Sequence, residues 1–173
     1  SVVHGIVTGM KGVIKVYSEP GQGTEFNIYL PVVKSHSEQQ EINQTKEPIQ
    51  GGIERILLVD DEKAIIGMEK SMLERLGYRV TSQISSVEAL EVFRANSNKF
   101  DLVITDMAMP NMPGDKLSVE LTKIRPDIPI LLCTGFSETM SEEKAKSLGI
   151  KGFLFKPIVM KDLSQKIRKV LDK

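Results

Sequence analysis

From about residue 53 onwards, short apolar runs alternate with segments that carry an apolar residue at every third or fourth position. The runs recur at intervals of about 20 to 30 residues, which is the scale of a strand–helix–strand unit. Strands connected in this way lie parallel, because a crossover helix returns the chain to the same end of the sheet. Most runs are apolar throughout, as in strands covered on both faces. The pattern therefore predicts an α/β fold, a doubly wound five-stranded parallel sheet.

Five strands and five helices are predicted in this region. The strands are Arg55–Val59, Tyr78–Gln83, Asp101–Thr105, Ile128–Cys133 and Gly152–Phe155. The helices are Glu62–Leu76, Ser86–Ala95, Lys116–Ile124, Ser141–Leu148 and Met160–Leu171. Gly77 and Gly149 each lie at the predicted end of a helix, and glycine most readily takes the left-handed conformation that closes one.

The sequence before residue 53 has two parts of different character. Residues 1–10 have apolar side chains at helical spacing, and the predicted strands Val13–Ser18 and Thr24–Leu30 follow around a Pro-Gly turn. Residues 34–52 are polar and without periodicity, which is typical of a flexible linker. We therefore predict a helix and β-hairpin within residues 1–33, a linker over residues 34–52, and the α/β domain over residues 53–173.

Composition limits the partners and the compartment. The chain has 23 basic and 23 acidic residues, and this balance gives no reason to expect nucleic acid or a membrane surface as a partner. Cys133 is the single cysteine, so an intramolecular disulfide is excluded, and the lack of cysteine and histidine clusters argues against zinc. No apolar run approaches the roughly 20 residues of a membrane span. We expect a cytoplasmic domain, with any membrane anchor of the parent protein outside this sequence.

Polar residues stand directly after four of the five apolar runs. Asp60 and Asp61 follow the first run, Asp106 the third, Thr134 the fourth and Lys156 the fifth. Parallel strands bring these ends to one edge of the sheet, and in open α/β sheets ligands bind at that edge. The sequence therefore predicts a functional site that is assembled from distant parts of the chain.

Asp106 is the candidate nucleophile of this site. Pro110, Pro113 and Gly114 prevent its strand from continuing far beyond it, so the carboxylate should lie at the sheet edge. An aspartate can take a phosphoryl group as an acyl phosphate. Asp106 is therefore predicted to accept a phosphoryl group.

Three carboxylates gathered at one edge would repel each other unless a cation joins them. Mg²⁺ suits a site of one or two carboxylates, a backbone carbonyl, several waters and a phosphate oxygen. Lys156 would neutralise the phosphoryl group from another side, and Thr134 would donate its hydroxyl to it. The sequence thus predicts a magnesium-assisted phosphoryl site.

Each of these residues, taken alone, also has an interpretation without function. The acidic residues after the first run could cap the helix that follows, since carboxylates are favourable at a helix amino terminus. Asp106 could form a turn, and Lys156 could be an exposed strand end. The functional interpretation is favoured by the conjunction, because four independent coincidences would have to fall where the fold brings the residues together.

Residues 53–173 resemble a response-regulator receiver domain, with flavodoxin-like strand order 2-1-3-4-5. The resemblance rests on the Asp60-Asp61 pair, on D-M-A-M-P-N-M-P-G from Asp106, on C-T-G-F-S-E around Thr134, and on Lys156-Pro157. It implies that Asp106 accepts a phosphoryl group from a phosphohistidine on its own kinase or on a histidine phosphotransfer protein. It also implies a switch in which Thr134 and Phe153 move together and alter the surface of the last two helices and last strand.

The same resemblance implies a ligand set for Mg²⁺. Asp61, Asp106 and the backbone carbonyl of Ala108 would bind the ion directly, and Asp60 would act through a bound water. Lys156 would contact the phosphoryl group. Phe153 departs from the tyrosine that is commoner at its position in the family.

Residues 1–31 resemble the end of the ATP-binding domain of a histidine kinase, through S-V-V-H-G-I-V and Y-S-E-P-G-Q-G-T-E-F-N-I-Y-L-P. The resemblance implies a hybrid sensor kinase as the parent protein. The nucleotide-binding motifs of such a domain are not in this sequence, so a complete kinase is not expected here. Because the apolar residues of this segment need a cover, we expect a homodimer held by residues 1–31.

Three classes of function stay open at this point. The first is a phosphoacceptor switch, and the second is an aspartyl-phosphate hydrolase. The hydrolase would need an acid two residues after its nucleophile, where this chain has Ala108. The third is a receiver-shaped binding module without phosphate turnover, which a missing acid or lysine would favour, and none is missing.

Overall fold

The computed structural model describes residues 2–31, 49–135, 145 and 148–172. The chain divides into two compact units, Ser1–Thr45 and Lys46–Lys173. The division falls inside the predicted linker.

The first unit consists of one helix and one hairpin. Helix α1 is Val2–Gly9, and strands β1 (Val13–Glu19) and β2 (Gly23–Tyr29) pair antiparallel. These bounds lie within one residue of the predicted strands. Gly12 closes the helix, since its amide donates to the carbonyl of Val7 at 2.8 Å. The predicted helix and hairpin are therefore both present.

Most apolar side chains of the first unit are exposed. Val7 is buried, with 5% of its surface accessible. At least half of the surface of ten other apolar residues is accessible: Val3, Ile6, Met10, Val13, Val16, Tyr17, Phe26, Ile28, Tyr29 and Leu30. A single helix and a two-stranded sheet are too small to bury their own apolar surface.

The second unit alternates strands and helices as predicted. Its strands are β3 (Arg55–Val59), β4 (Arg79–Gln83), β5 (Leu102–Asp106), β6 (Ile130–Thr134) and β7 (Ile150–Phe155). Its described helices are α2 (Lys63–Arg75), α3 (Ser86–Ala95), α4 (Gly114–Ile124) and α5 (Met160–Leu171), with a short 3-10 turn at Ser97–Lys99. The predicted helix Ser141–Leu148 lies outside the described residues, except for Ala145, which is helical, and Leu148, which is in a turn.

The five strands form one parallel sheet in the order β4-β3-β5-β6-β7. Counted within this unit, that is the predicted order 2-1-3-4-5. The sheet is covered on both faces. One core cluster joins Ile56 and Leu58 to α2 and α5, and another joins Leu57 and Val59 to α3 and α4. The prediction of a doubly wound α/β fold is confirmed.

Several predicted boundaries differ by one or two residues, and three of them bear on the carboxyl ends of β5 and β6. Asp106 and Thr134 are the last residues of β5 and β6, whereas the sequence pattern placed both just after a strand. Helix α4 begins at Gly114, two residues earlier than predicted. A Cβ atom at Gly114 would lie 2.1 Å from the backbone oxygen of Asp106, so glycine permits the helix to start this close to the strand.

The end of the predicted linker belongs to the second unit and packs against it closely. The Ser164 hydroxyl donates to the backbone oxygen of Gln50 at 2.6 Å, and the Gly52 amide donates to that of Leu76 at 3.0 Å. A Cβ atom at Gly51 would lie 1.9 Å from the Leu76 oxygen. The prediction of a flexible linker is therefore wrong for residues 50–52, because the sequence pattern does not reveal this close backbone packing.

Candidate functional site

The predicted site residues meet at the carboxyl edge of the sheet. Asp106 pairs with Cys133 across β5 and β6, and Thr134 pairs with Phe155 across β6 and β7. The ladder extends beyond the strands, since the Lys156 amide donates to the backbone oxygen of Thr134 at 3.0 Å. This register places the ends of three neighbouring strands side by side.

Lys156 joins two of the carboxylates. Its Nζ atom lies 2.8 Å from Oδ2 of Asp60 and 2.6 Å from Oδ1 of Asp106. Both aspartates are buried, with 1% and 7% of their surfaces accessible. Burial alone would lower the pKa of Lys156, but its hydrogen bonds to Asp106 and Asp60 outweigh burial and raise that pKa well above its usual value. The ammonium group therefore stays charged and relieves the repulsion between the two acids.

The other carboxylate oxygens accept backbone hydrogen bonds. The amide of Ala108 donates to Oδ2 of Asp106 at 2.9 Å, and the amide of Glu62 donates to Oδ1 of Asp60 at 2.8 Å. Glu62 is the residue that caps α2, and its own side chain makes no capping bond. Asp60 thus satisfies an amide at the start of α2 while it binds Lys156. Satisfying an amide at the start of α2 and contacting Lys156 are therefore compatible at this residue.

Asp61 differs from its neighbour. It is half-buried, and its carboxylate makes no hydrogen bond or ion pair with any part of the chain that the structure describes. It lines a cavity of about 50 Å³, together with Ile84, Ser85, Ser86, Met109, Pro110 and Asn111. Of the three acids at this edge, Asp61 has the most lone pairs available for a ligand.

Thr134 lies on β6, the strand next to that of Asp106, and Phe153 lies on β7, one strand further on. Thr134 is buried, and its hydroxyl donates to the backbone oxygen of Gly135 at 3.2 Å. Phe153 is half-buried opposite Leu132, and it packs against the small cluster that contains Leu132 and Ala145. The aromatic ring therefore lies beside Leu132, which precedes Thr134 by two residues on β6.

Sequence reasoning missed one acid beneath the site. Glu69 on α2 is 3% exposed, and its carboxyl accepts no hydrogen bond from the described residues. Burial raises the pKa of Glu69 to about 7, and the negative charges of Asp60 and Asp106 add to this effect while Lys156 opposes it. A signal was present, since Glu69 stands three residues after Ile66 and four before Leu73, on the buried face of α2.

The donor set fits a hard cation. The site offers carboxylates and backbone oxygens, which suit Mg²⁺, and its cysteine, Cys133, is buried, which raises the pKa of its thiol. Among the described residues there is no group of three or more acidic, histidine or cysteine side chains arranged to hold a metal. The predicted ligand set uses two direct carboxylates and a carbonyl, so it does not require such a group. Asp60, with both oxygens engaged, fits the predicted role through a water.

Comparison with known proteins identifies the family. The model of the response regulator receiver domain matches residues 56–168, which is more than half of the chain. The chain belongs to the response-regulator receiver family. The matched range contains nearly all of the five-stranded sheet, and every predicted site residue lies within it.

Relatives of this receiver domain include sensor kinases. The chain is 32% identical over 180 residues to the sensor kinase CckA of Brucella abortus, a match that covers all of this chain and 19% of the relative. The chain thus spans about a fifth of that protein's length. No described helix has the length and apolar character that a membrane crossing needs.

Solved structures confirm the fold of the receiver domain. A receiver domain protein from Clostridium thermocellum superimposes with a TM-score of 0.66 and 35% identity, covering 69% of this chain and 95% of that one. The receiver domain from the hybrid histidine kinase CckA superimposes with a TM-score of 0.57 and 28% identity, covering 68% and 98%. Phosphoryl transfer to an aspartate is the general function of the family.

Proposed function

We propose that Asp106 is the phosphoacceptor of this receiver domain and that it takes its phosphoryl group from a phosphohistidine. The observation that carries the proposal is the pairing of Lys156 with both Asp106 and Asp60, at 2.6 and 2.8 Å. This arrangement holds a buried carboxylate beside a fixed positive charge at the edge of the sheet. It is an arrangement suited to a group that gains negative charge on reaction.

In the transfer, a carboxylate oxygen of Asp106 forms a bond to phosphorus, and the bond between phosphorus and the histidine nitrogen breaks. The product is an acyl phosphate, and the imidazole leaves with the bonding electrons and then takes up a proton. Lys156 would follow the new charge from the carboxylate to the phosphoryl oxygens. The Ala108 amide, which already donates to Asp106, would keep the acid oriented.

Asp61, Asp106 and the carbonyl of Ala108 would hold Mg²⁺ directly, and Asp60 would hold it through a water. The available lone pairs of Asp61 and the engaged oxygens of Asp60 support this division. When bound, Mg²⁺ supplies charge neutralisation of the phosphoryl group during transfer.

Thr134 and Phe153 would form the switch. The Thr134 hydroxyl would leave the Gly135 carbonyl and donate to the phosphoryl group, and Phe153 would move together with Thr134. The surface that changes would include β7 and α5, where a partner could detect it.

The two other classes of function have less support. A hydrolase would need an acid at position 108, where the chain has alanine. A binding module without phosphate turnover would tolerate loss of the paired lysine, whereas here Lys156 contacts two acids. The phosphoacceptor function uses every group at the edge.

The parent protein would be a cytoplasmic or membrane-anchored hybrid histidine kinase, with the receiver domain in the cytoplasm. The match to the Brucella sensor kinase includes residues 1–31, which supports assigning that segment to the end of a kinase ATP-binding domain. The phosphodonor would be the parent kinase or a histidine phosphotransfer protein.

Residues 1–31 would also hold a homodimer. The exposed apolar residues of α1, β1 and β2 support this, because burying a few hundred Å² of such surface is worth several kcal/mol at about 25 cal/mol per Å². An open hairpin edge can pair with the same edge of a second copy.

Intact mass measured before and after incubation with acetyl phosphate and Mg²⁺ tests the proposal. The wild-type protein should gain the mass of one phosphoryl group, and Asp106→Asn should gain none. Asp127→Asn, which changes a highly exposed aspartate, is the matched control and should behave as wild type. Phosphorylation that persists in Asp106→Asn would contradict the assignment.

A further inference from the structure

The Ser86 hydroxyl is buried and has no hydrogen-bond partner among the residues that the structure describes. Ser86 is the first residue of α3, and 2% of its surface is accessible. A buried hydroxyl without a partner is unfavourable, and native structures usually provide it with a protein group or an ordered water. Rotation about its side-chain torsion would break no hydrogen bond among the described residues, so the hydroxyl can turn towards a ligand.

The cavity that Ser86 lines contains a second group in need of a partner. It is the cavity of about 50 Å³ described above, and Asp61 forms part of its wall. A cavity needs about 10 to 15 Å³ to hold one ordered water, so this cavity has room for water. A water between the two residues would donate to the carboxylate and contact the hydroxyl.

The amino end of α3 also faces this cavity, and it determines which species belongs there. The exposed backbone N–H groups of a helix amino terminus carry partial positive charge, which disfavours a bare cation beside them. A water that is bound to the cation would stand between the ion and the helix, so the ion that Asp61 holds would not lie directly against the N–H groups. Mg²⁺ commonly keeps several such waters.

We propose that Ser86 is a positioning residue for a hydrated divalent cation at Asp61, with its hydroxyl accepting a hydrogen bond from a metal-bound water in this cavity. The inference rests on the magnesium site of the proposed function. Groups that orient the immediate ligands of a metal typically change its affinity by about ten- to a hundredfold. For one contact through water we expect about tenfold.

Ser85 provides a matched control. It is the neighbouring residue, it lines the same cavity, and its hydroxyl accepts the Glu88 amide at 3.4 Å as the cap of α3. Its removal should lower the melting temperature. Ser86→Ala removes a hydroxyl that makes no hydrogen bond within the described part of the chain, so the melting temperature without metal should not fall.

The test is an NMR titration of the whole protein with MgCl₂, combined with thermal melts in EDTA. Ser86→Ala should weaken Mg²⁺ binding about tenfold without loss of melting temperature, and Ser85→Ala should do the reverse. Asp61→Asn should weaken binding more than Ser86→Ala does.

Two results would overturn the inference alone. One is wild-type Mg²⁺ affinity in Ser86→Ala while Asp61→Asn binds weakly. The other is a fall in melting temperature as large as that of Ser85→Ala, which would reveal a structural partner for the hydroxyl. If Asp61→Asn binds Mg²⁺ as well as wild type, the metal geometry of the proposed function fails, and this inference fails with it.

Discussion

The two units of this chain treat apolar side chains in opposite ways. In the receiver domain, Phe93 is fully buried and stacks on Phe100 with ring centroids 6.0 Å apart. In the first unit, Phe26 has 64% of its surface accessible. The receiver sheet has helices on both faces, whereas the described part of the first unit has a single helix beside its hairpin.

The difference shows that a segment can form regular secondary structure without forming a hydrophobic core. The hairpin has complete strand register from Val13 to Glu19, yet its side chains gain little burial. Most helix and sheet stability comes from packing of an apolar face, not from the backbone alone. The receiver domain should therefore carry the folding free energy, and the first unit should depend on a partner surface.

The largest effect should come from truncating a buried phenylalanine. Phe93→Ala should lower the free energy of unfolding by about 3 to 5 kcal/mol, because it removes a buried ring and leaves a cavity. Phe26→Ala should change it by less than about 0.5 kcal/mol. Urea unfolding of dilute protein measures both. Equal costs would show that the first unit is covered as the receiver core is.

The second effect is a pH dependence that belongs to the receiver domain. Because the pKa of Glu69 is raised to about 7 in the folded state, Glu69 destabilises the fold as it ionises. The destabilisation by Glu69 should be absent below about pH 4.5 and should grow as the pH rises to about 7. The loss should not exceed about 3 to 4 kcal/mol at about 1.4 kcal/mol per pKa unit.

Glu69→Gln should remove this loss, so that its advantage over wild type grows between pH 5 and pH 8 in urea unfolding. Glu25→Gln, an exposed change in the first unit, is the control. If Glu69→Gln and wild type keep the same stability difference at both pH values, the buried acid does not titrate in this range.

A smaller effect concerns the switch. The bond from Thr134 to a phosphoryl group should be worth about 1.5 to 3 kcal/mol, which shifts a two-state population by about ten- to a hundredfold. Thr134→Ala should therefore blunt the amide shifts of Phe153 and Phe155 when acetyl phosphate and Mg²⁺ are added. Thr81→Ala on β4 should not. Shifts of equal size in Thr134→Ala would remove this hydroxyl from the mechanism.

The smallest effect concerns association through the first unit. If residues 1–31 hold a homodimer, Phe26→Ala should weaken it by about 1.5 kcal/mol, or roughly tenfold. Light scattering across micromolar concentrations measures this. Phe155→Ala, which changes a phenylalanine of similar exposure in the receiver domain, should leave the dimer intact. A wild-type protein that is monomeric throughout would contradict the dimer.

The sequence predicted the sheet and most of the site because strand ends are local signals. Asp60, Asp106 and Lys156 each follow a short apolar run, and parallel pairing then brings them together. The sequence pattern did not predict the ion pairs of Lys156 with the two aspartates. That Lys156 contacts both acids follows from side-chain lengths and directions across three strands, which no spacing along the chain encodes.

Two features of the structure were not predicted from the sequence, for different reasons. Glu69 stands at a position of α2 where the helical periodicity calls for an apolar residue, so the sequence alone could have predicted a buried acid there. The docking of residues 50–52 had no such signal, because backbone contacts between a polar segment and a distant turn leave no trace in periodicity. Prediction thus failed where tertiary contacts, not local pattern, decided the conformation.

The close approach of Gly51 to Leu76 has a consequence for moving this receiver domain into other proteins. A side chain at position 51 would collide with the Leu76 oxygen at 1.9 Å, and one at position 52 would meet Tyr78 at 2.7 Å. The transplantable module therefore starts before its first strand. A chimera joined at Ile53 would lose residues 50–52, which bind both α5 and the turn after α2 through hydrogen bonds. A chimera joined before Gln50 would keep these contacts.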